Sequence, residues 1–136
     1  MKSSRTFLIS SVLFLMSILT PIAALACQID GGKNTTSGNL NLSYKIIDAP
    51  VAVSKPFSME IKLCQADTPI TPKQLRVDAD MPAHGHGMNY QTTITELDVG
   101  HYQVDGFVFH MMGDWAFSVD VFTAKEKQSF NIDYTL

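Results

Sequence analysis

The stretch Met81-Pro82-Ala83-His84-Gly85-His86-Gly87-Met88 crowds two imidazoles and two thioethers together, and His110-Met111-Met112-Gly113-Asp114-Trp115 brings a third imidazole and two more thioethers. Imidazole suits copper or zinc, and thioether shifts the preference towards Cu(I). Zinc sites draw on Cys, His and carboxylate, so the methionines argue against zinc. In extended backbone His84 and His86 project to the same side, and Gly85 and Gly87 free the chain to turn around them. The candidate ligands for a metal ion are His84, His86, Met88, Met111 and His110, and copper is the metal that suits them. An imidazole that has taken up a proton cannot ligate, so such binding weakens as pH falls. The same residues also fit a tight turn with its imidazoles bonded to backbone, and inward methionines are commonly core filling. Both readings stay open at this point.

Catalytic patterns are weak, and no enzyme is expected. Ser58 and Ser118 fall mid-strand on the outward parity, without the Gly-x-Ser-x-Gly elbow of a serine nucleophile. Cys64 has no histidine beside it in sequence. The carboxylates are scattered over outward strand positions, and no glycine-rich phosphate loop is present.

The elements that must hold the two histidine stretches read as short strands. Leu40 to Ile47 alternates, and Asp48-Ala49-Pro50 closes it. Phe57, Met59, Ile61 and Leu63 point one way with polar residues between them, the pattern of a strand with one wet face. The prolines of Asp67-Thr68-Pro69-Ile70-Thr71-Pro72 mark a loop. Leu75, Val77, Ala79 and Met81 face inward up to Pro82. Gln91 to Leu97 is a threonine-rich strand, and Asp98-Val99-Gly100 turns into the next. The inward set then changes phase, from Tyr102 and Val104 to Phe107, Phe109 and Met111, so Gly106 is expected to carry a bulge. By this parity Met111 points inward, while His110 and Met112 point outward. Trp115 to Val121 and Phe130 to Tyr134 complete the set, with Trp115 expected in the core. His101 sits in a turn on the outward parity and is expected to be solvated.

The expected fold is therefore all-β, an immunoglobulin-like antiparallel β-sandwich of about seven strands; a small closed barrel is the competitor. Asp98-x-Gly100-x-Tyr102 resembles the tyrosine corner of immunoglobulin-like domains.

With 136 residues the chain has room for one such domain. Residues 1–26 read as a signal peptide: a basic lead of Lys2 and Arg5, an apolar run, and the small-x-small end Ala24-Leu25-Ala26. The expected location is thus periplasmic or extracytoplasmic. Without Lys2 and Arg5, eight basic residues face thirteen acidic ones, a net charge of −5 with neutral histidines. No basic patch is visible, so nucleic acid and anionic lipid surfaces are not expected as partners.

Cys27 follows the signal directly and leaves two readings open. Either it pairs with Cys64 in an oxidising compartment, or Ala24-Leu25-Ala26-Cys27 is a degenerate lipobox and Cys27 is acylated, the one route to a membrane. Residues 27–39, rich in Gly, Asn, Thr and Ser, are expected to form a flexible tether ahead of a domain at 40–136.

Met81-Pro82-x-His84-Gly85-His86-Gly87, Gly100-x-Tyr102-x-Val104-x-Gly106 and Phe109-x-Met111-x-Gly113-x-Trp115, in that order and spacing, resemble the YtkA-like/FixH domain. The resemblance covers about Tyr44 to the end. It implies an extracytoplasmic immunoglobulin-like sandwich. FixH proteins are associated with cation-pump clusters and with copper supply to haem-copper oxidases, which implies a membrane oxidase or cation-transport assembly as partner. His84, His86, Met81 and Met111 match the family pattern, whereas His110 and Met112 occupy positions that it leaves free. FixH itself is anchored by a membrane helix, where this chain has a stretch that reads as a cleavable signal. The function expected is an exported, non-enzymatic accessory domain that binds copper. The alternative is a metal-free interaction module whose Gly-His loop shapes a partner surface.

Overall fold

A computed structural model describes residues 23–136, so the body of the expected signal peptide lies outside the described residues. A single helical turn, α1 (Ala23–Ala26), leads into β1 (Lys33–Ser37), β2 (Leu40–Ile46), β3 (Pro56–Gln65), β4 (Thr68–Pro69), β5 (Gln74–Met81), β6 (His86–Gly87), β7 (Thr93–Asp98), β8 (His101–Val108), β9 (Asp114–Phe122) and β10 (Lys127–Thr135). One sheet has the order β1-β2-β3-β8-β7, with β4 on the end of β3, and the other β10-β9-β5-β6. Every pairing is antiparallel. The architecture is an immunoglobulin-like antiparallel β-sandwich.

The seven expected strands are all present. Their alternation is the reason: Phe57, Met59, Ile61 and Leu63 of β3 and Trp115, Phe117, Val119 and Val121 of β9 are buried, while their sequence neighbours stay wetter. Phe57 stands at the centre, stacked on Phe107 at 5.2 Å and edge-on to Phe109 at 4.9 Å between ring centres. Each such buried ring contributes about 1.5–3 kcal/mol of transfer free energy.

Three strands, β1, β4 and β6, were not expected. The last two are two residues long. β1, Lys-Asn-Thr-Thr-Ser, is an edge strand with no apolar residue to alternate, so its pairing with β2 leaves no hydrophobic signature.

β1 also corrects the expected tether at 27–39. Cys27 and Cys64 are joined in a disulfide, the first of the two readings, and a cysteine so bonded offers no thiol to an acyl group. The following residues lie across the outer face of β2 and β3. Ile29 is buried, its N–H donates to the buried Ser43 hydroxyl at 3.0 Å, and the Lys62 ammonium donates to the Gln28 carbonyl at 3.1 Å. The segment then turns through Gly32 into a β1–β2 hairpin whose register runs from Lys33↔Tyr44 to Ser37↔Leu40.

The phase change in β8 is a bulge, as expected. Phe57 opposes Phe107 and Met59 opposes Val104, so β8 carries one residue more than β3, and Gly106 takes φ +92°. The corner at Asp98-Val99-Gly100 differs from a tyrosine corner. The hydroxyl of buried Tyr102 donates to the Glu96 carboxylate at 3.2 Å rather than to backbone, and Thr71 donates to the same oxygen at 2.7 Å. Burial, opposed by the Thr71 hydroxyl and helped by the Glu96 charge, raises the Tyr102 phenol above its ordinary pKa. His101 is half-buried and meets Glu60 at 2.6 Å rather than standing in solvent.

On the outer face of β9, Asp120 accepts from Ser129 at 2.6 Å and pairs with Lys127 at 2.9 Å. Burial alone would raise its pKa; the Ser129 hydroxyl, Lys127 and the Arg76 charge outweigh that, and the net shift is downward from 3.8. A carboxylate held lower in the folded state contributes stability above its unfolded pKa and loses it as pH falls through the folded one. Asp120→Asn should therefore lower stability at pH 7 by about 0.5–1 kcal/mol, the scale of a partly screened surface pair. The deficit should shrink below about pH 3.8, and denaturant midpoints of both proteins against pH check it.

Candidate metal centre

The two histidine stretches meet at one end of the sandwich, because β5 and β9 are neighbours running in opposite directions. Asp80 of β5 opposes Ala116 of β9, so the chain leaving β5 emerges beside the chain entering β9. After Met81 the backbone turns tightly, with the N–H groups of His84 and Gly85 both donating to the Met81 carbonyl at 3.0 Å. Gly85 takes φ +67° in open space. The chain then folds back so that His86 pairs with Met81, and the Met88 N–H donates to the Ala79 carbonyl at 3.2 Å.

The partner loop is pinned from several sides. Phe109 accepts from the Ser54 N–H at 2.7 Å, and Gly113 and Leu136 exchange backbone bonds at 3.2 and 3.0 Å. Gly113 sits at φ +131°, where a Cβ would lie 2.9 Å from Cε of Met81. The Trp115 indole lies flat on Phe109, 4.2 Å between centres and 10° between planes, and its N–H donates to the Met111 carbonyl at 3.1 Å. The buried tryptophan therefore fixes the backbone next to His110.

The imidazoles stand in a row. His84 and His86 are 5.7 Å apart between ring centres, His86 and His110 5.1 Å, and His110 meets the edge of Trp115 at 5.3 Å. A metal–imidazole bond of about 2.0 Å plus about 1.1 Å to the ring centre places two imidazoles on one bent or linear ion roughly 5–6.2 Å apart. Both spacings fit co-ligation of one ion by two rings. Nδ1 of His110 is shielded from solvent and has no hydrogen-bond partner. A buried nitrogen left so costs about 1–3 kcal/mol, which an ion on that nitrogen would offset. Among the described residues, however, no three His, Cys, Asp or Glu side chains gather to hold an ion.

The structure ranks the expected ligands differently from the sequence. His84 and His86 are exposed. His110, outward by parity, is half-buried and completes the row. Met88 and Met111 are half-buried and pack against the core, Met81 is 1% exposed within it, and Met112 is 64% exposed. Trp115 as the support of the loop is the contribution that sequence reading missed; its place four residues after Met111 is visible in the sequence, but its bond to that carbonyl is not. A cleft of about 390 Å³ borders the site, lined by Pro82 and Ala83 of the Gly-His turn and by Asp114 and Trp115; two others, of about 450 Å³ between β5 and residues 91–94 and of about 310 Å³ between β2 and β10, lie elsewhere, and no histidine lines any of the three. The row is thus a surface site, reachable by a partner protein.

A family model described as YtkA-like matches residues 37–120, more than half of the chain. The chain belongs to the YtkA-like family. The matched span of this YtkA-like domain holds all three imidazoles of the row and stops short of β10. Among solved structures it is similar to a DUF4426 family protein from Pseudomonas aeruginosa PAO1, at 13% identity and TM-score 0.57, over 79% of this chain and 95% of that one. It is also similar to the Lin-41 filamin domain, at 11% identity and TM-score 0.43, over 65% and 90%. The first likeness is one of fold alone. None of the curated proteins matches the chain.

Proposed function

We propose that this YtkA-like domain is a non-enzymatic, extracytoplasmic accessory that binds copper through His84, His86 and His110 and hands it to a membrane oxidase or cation-transport assembly. The observation that carries the reading is the position of His86, with one imidazole 5.7 Å away and another 5.1 Å away. Met88 and Met111, half-buried beside the row in sequence, are the thioethers available to soften it towards Cu(I). The Cys27–Cys64 bond is in keeping with an oxidising compartment. Among the described residues no helix is long and apolar enough to cross a membrane.

The test is competitive titration of the mature protein with Cu(I). His86→Ala should weaken binding by a factor of about 100 or more, since even residues that merely orient a ligand cost 10–100-fold when removed. Equal affinity in wild type and variant would reject the reading.

A second reading, a metal-free interaction module with the Gly-His turn as its contact surface, is favoured by the lack of any three-ligand cluster among the described residues. Copper separates the two: an ion that prefers the folded state raises the melting temperature, and a metal-free module shows no shift.

A further inference from the structure

We propose that the three imidazoles form two alternative positions for one ion, an outer one between His84 and His86 and an inner one between His86 and His110, and that the ion passes between them by ligand exchange on His86. This rests on the copper reading above.

His86 is the neighbour of both other imidazoles. Each neighbouring pair has a spacing that suits two imidazoles on one ion, yet no three donors of the His, Cys, Asp and Glu kinds surround a common point among the described residues. Three ligands that cannot be used at once, but can be used two at a time with the middle one in common, define two sites and a step between them.

The two positions differ in their surroundings. His84 is exposed, and Gly85 beside it has nothing within 4 Å of where a Cβ would stand. The outer position is therefore open to a donor or acceptor protein. His110 is half-buried against the edge of Trp115, with Nδ1 shut off from solvent and unpartnered. The inner position therefore offers an unclaimed nitrogen and fewer approaches for a competitor. His86 is held in register by its pairing with Met81, so the shared ligand stays in place while its partner changes.

The exchange balances simply. One metal–nitrogen bond to His110 forms as the bond to His84 breaks. The rings ligate through neutral nitrogen lone pairs, so no proton is released, and the ion keeps its oxidation state.

The experiment loads the full mature protein with Cu(I) and measures two quantities, affinity against a chromogenic Cu(I) chelator and the rate of transfer to an excess of a second, stronger one. His84→Ala should slow transfer about tenfold or more and weaken affinity less than His110→Ala does, while His110→Ala should weaken affinity about tenfold or more and speed release. His110→Gln, which keeps a polar side chain beside Trp115, should repeat the second result, and melting temperatures confirm that each variant folds. X-ray absorption on the loaded protein should count two imidazoles per ion. Three imidazoles per ion, or equal changes in affinity and rate for the His84 and His110 variants, would overturn the two positions and leave copper binding standing. Unchanged affinity in His86→Ala would overturn both.

Discussion

Replacing Cys27 and Cys64 together with serine should lower the melting temperature by about 15 °C or more. The bond closes a sequence separation of 37 residues, and the chain-entropy relation gives about 4 kcal/mol for a loop of that length. It also presses Ile29 onto the outer face of β2 and β3, where the Ile29 N–H meets the only buried polar side chain, Ser43, among the described residues. Without the bond, residues 27–32 keep one buried apolar side chain, one buried hydrogen bond and a few exposed ones, too little to order them alone. The double variant should accordingly be cut within this segment by a protease that spares the wild type. Thermal melting and limited proteolysis check it; a fall of less than about 3 °C would mean that the segment holds itself in place. Intact mass of the oxidised protein, two hydrogens below the reduced chain, verifies the pairing.

Gly100→Ala should cost about 2–5 kcal/mol, the sum of about 1–2 kcal/mol for a left-handed non-glycine residue and about 1–3 kcal/mol for forced overpacking. Gly100 is buried at φ +68°, and a Cβ there would stand 2.6 Å from the Leu63 carbonyl oxygen and 2.9 Å from the Ile70 nitrogen. Both neighbours are backbone and are themselves bonded, Leu63 N–H to the Gly100 carbonyl at 2.7 Å and Ile70 N–H to the Leu63 carbonyl at 3.1 Å. No flexible side chain can move aside. The strain therefore falls on the junction of β3, β4 and β8. Chemical denaturation of Gly100→Ala measures the loss, with Gly85→Ala as the comparison: it has the same sign of φ but open space around it, and should cost only the conformational share, about 1–2 kcal/mol. Equal costs at the two positions would show that the close approach at Gly100 is relieved by backbone movement.

What the sequence made legible follows from where apolar periodicity is strong. β3, β5 and β9 bury every second side chain, and that period alone identifies them. The bulge at Gly106 was readable because a phase change between Val104 and Phe107 can only be absorbed by an extra residue. β1 was not readable, since an exposed edge strand is held by backbone bonds and carries no apolar code. The fate of Cys27 was undecided for a different reason: pairing depends on which residues the fold brings near Cys64, and a polar segment gives no hint that it lies down on a sheet.

At the candidate metal site, the Gly-His turn was readable from residue types, and the sequence pointed to His84 and His86. The place of His110 was not, because it depends on a loop outside regular strand parity, fixed by Gly113 bonding Leu136 and by Trp115 bonding Met111. Family pattern and geometry also part company at Met81. That residue matches the pattern, yet it is sealed in the core under Gly113, so its role here is to support the turn that carries the histidines.

The disulfide and the histidines occupy opposite poles. β3 runs from Pro56, which faces Val108 just before the His110 loop, to Cys64, which holds Cys27; at roughly 3.3 Å per residue that is a span of about 26 Å. A partner that grips the molecule at Cys27 grips it at the far pole, on a segment that the disulfide ties to β3. The imidazoles then face away from the grip, like the business end of a tool, and their standoff is set by the rigid length of the sandwich.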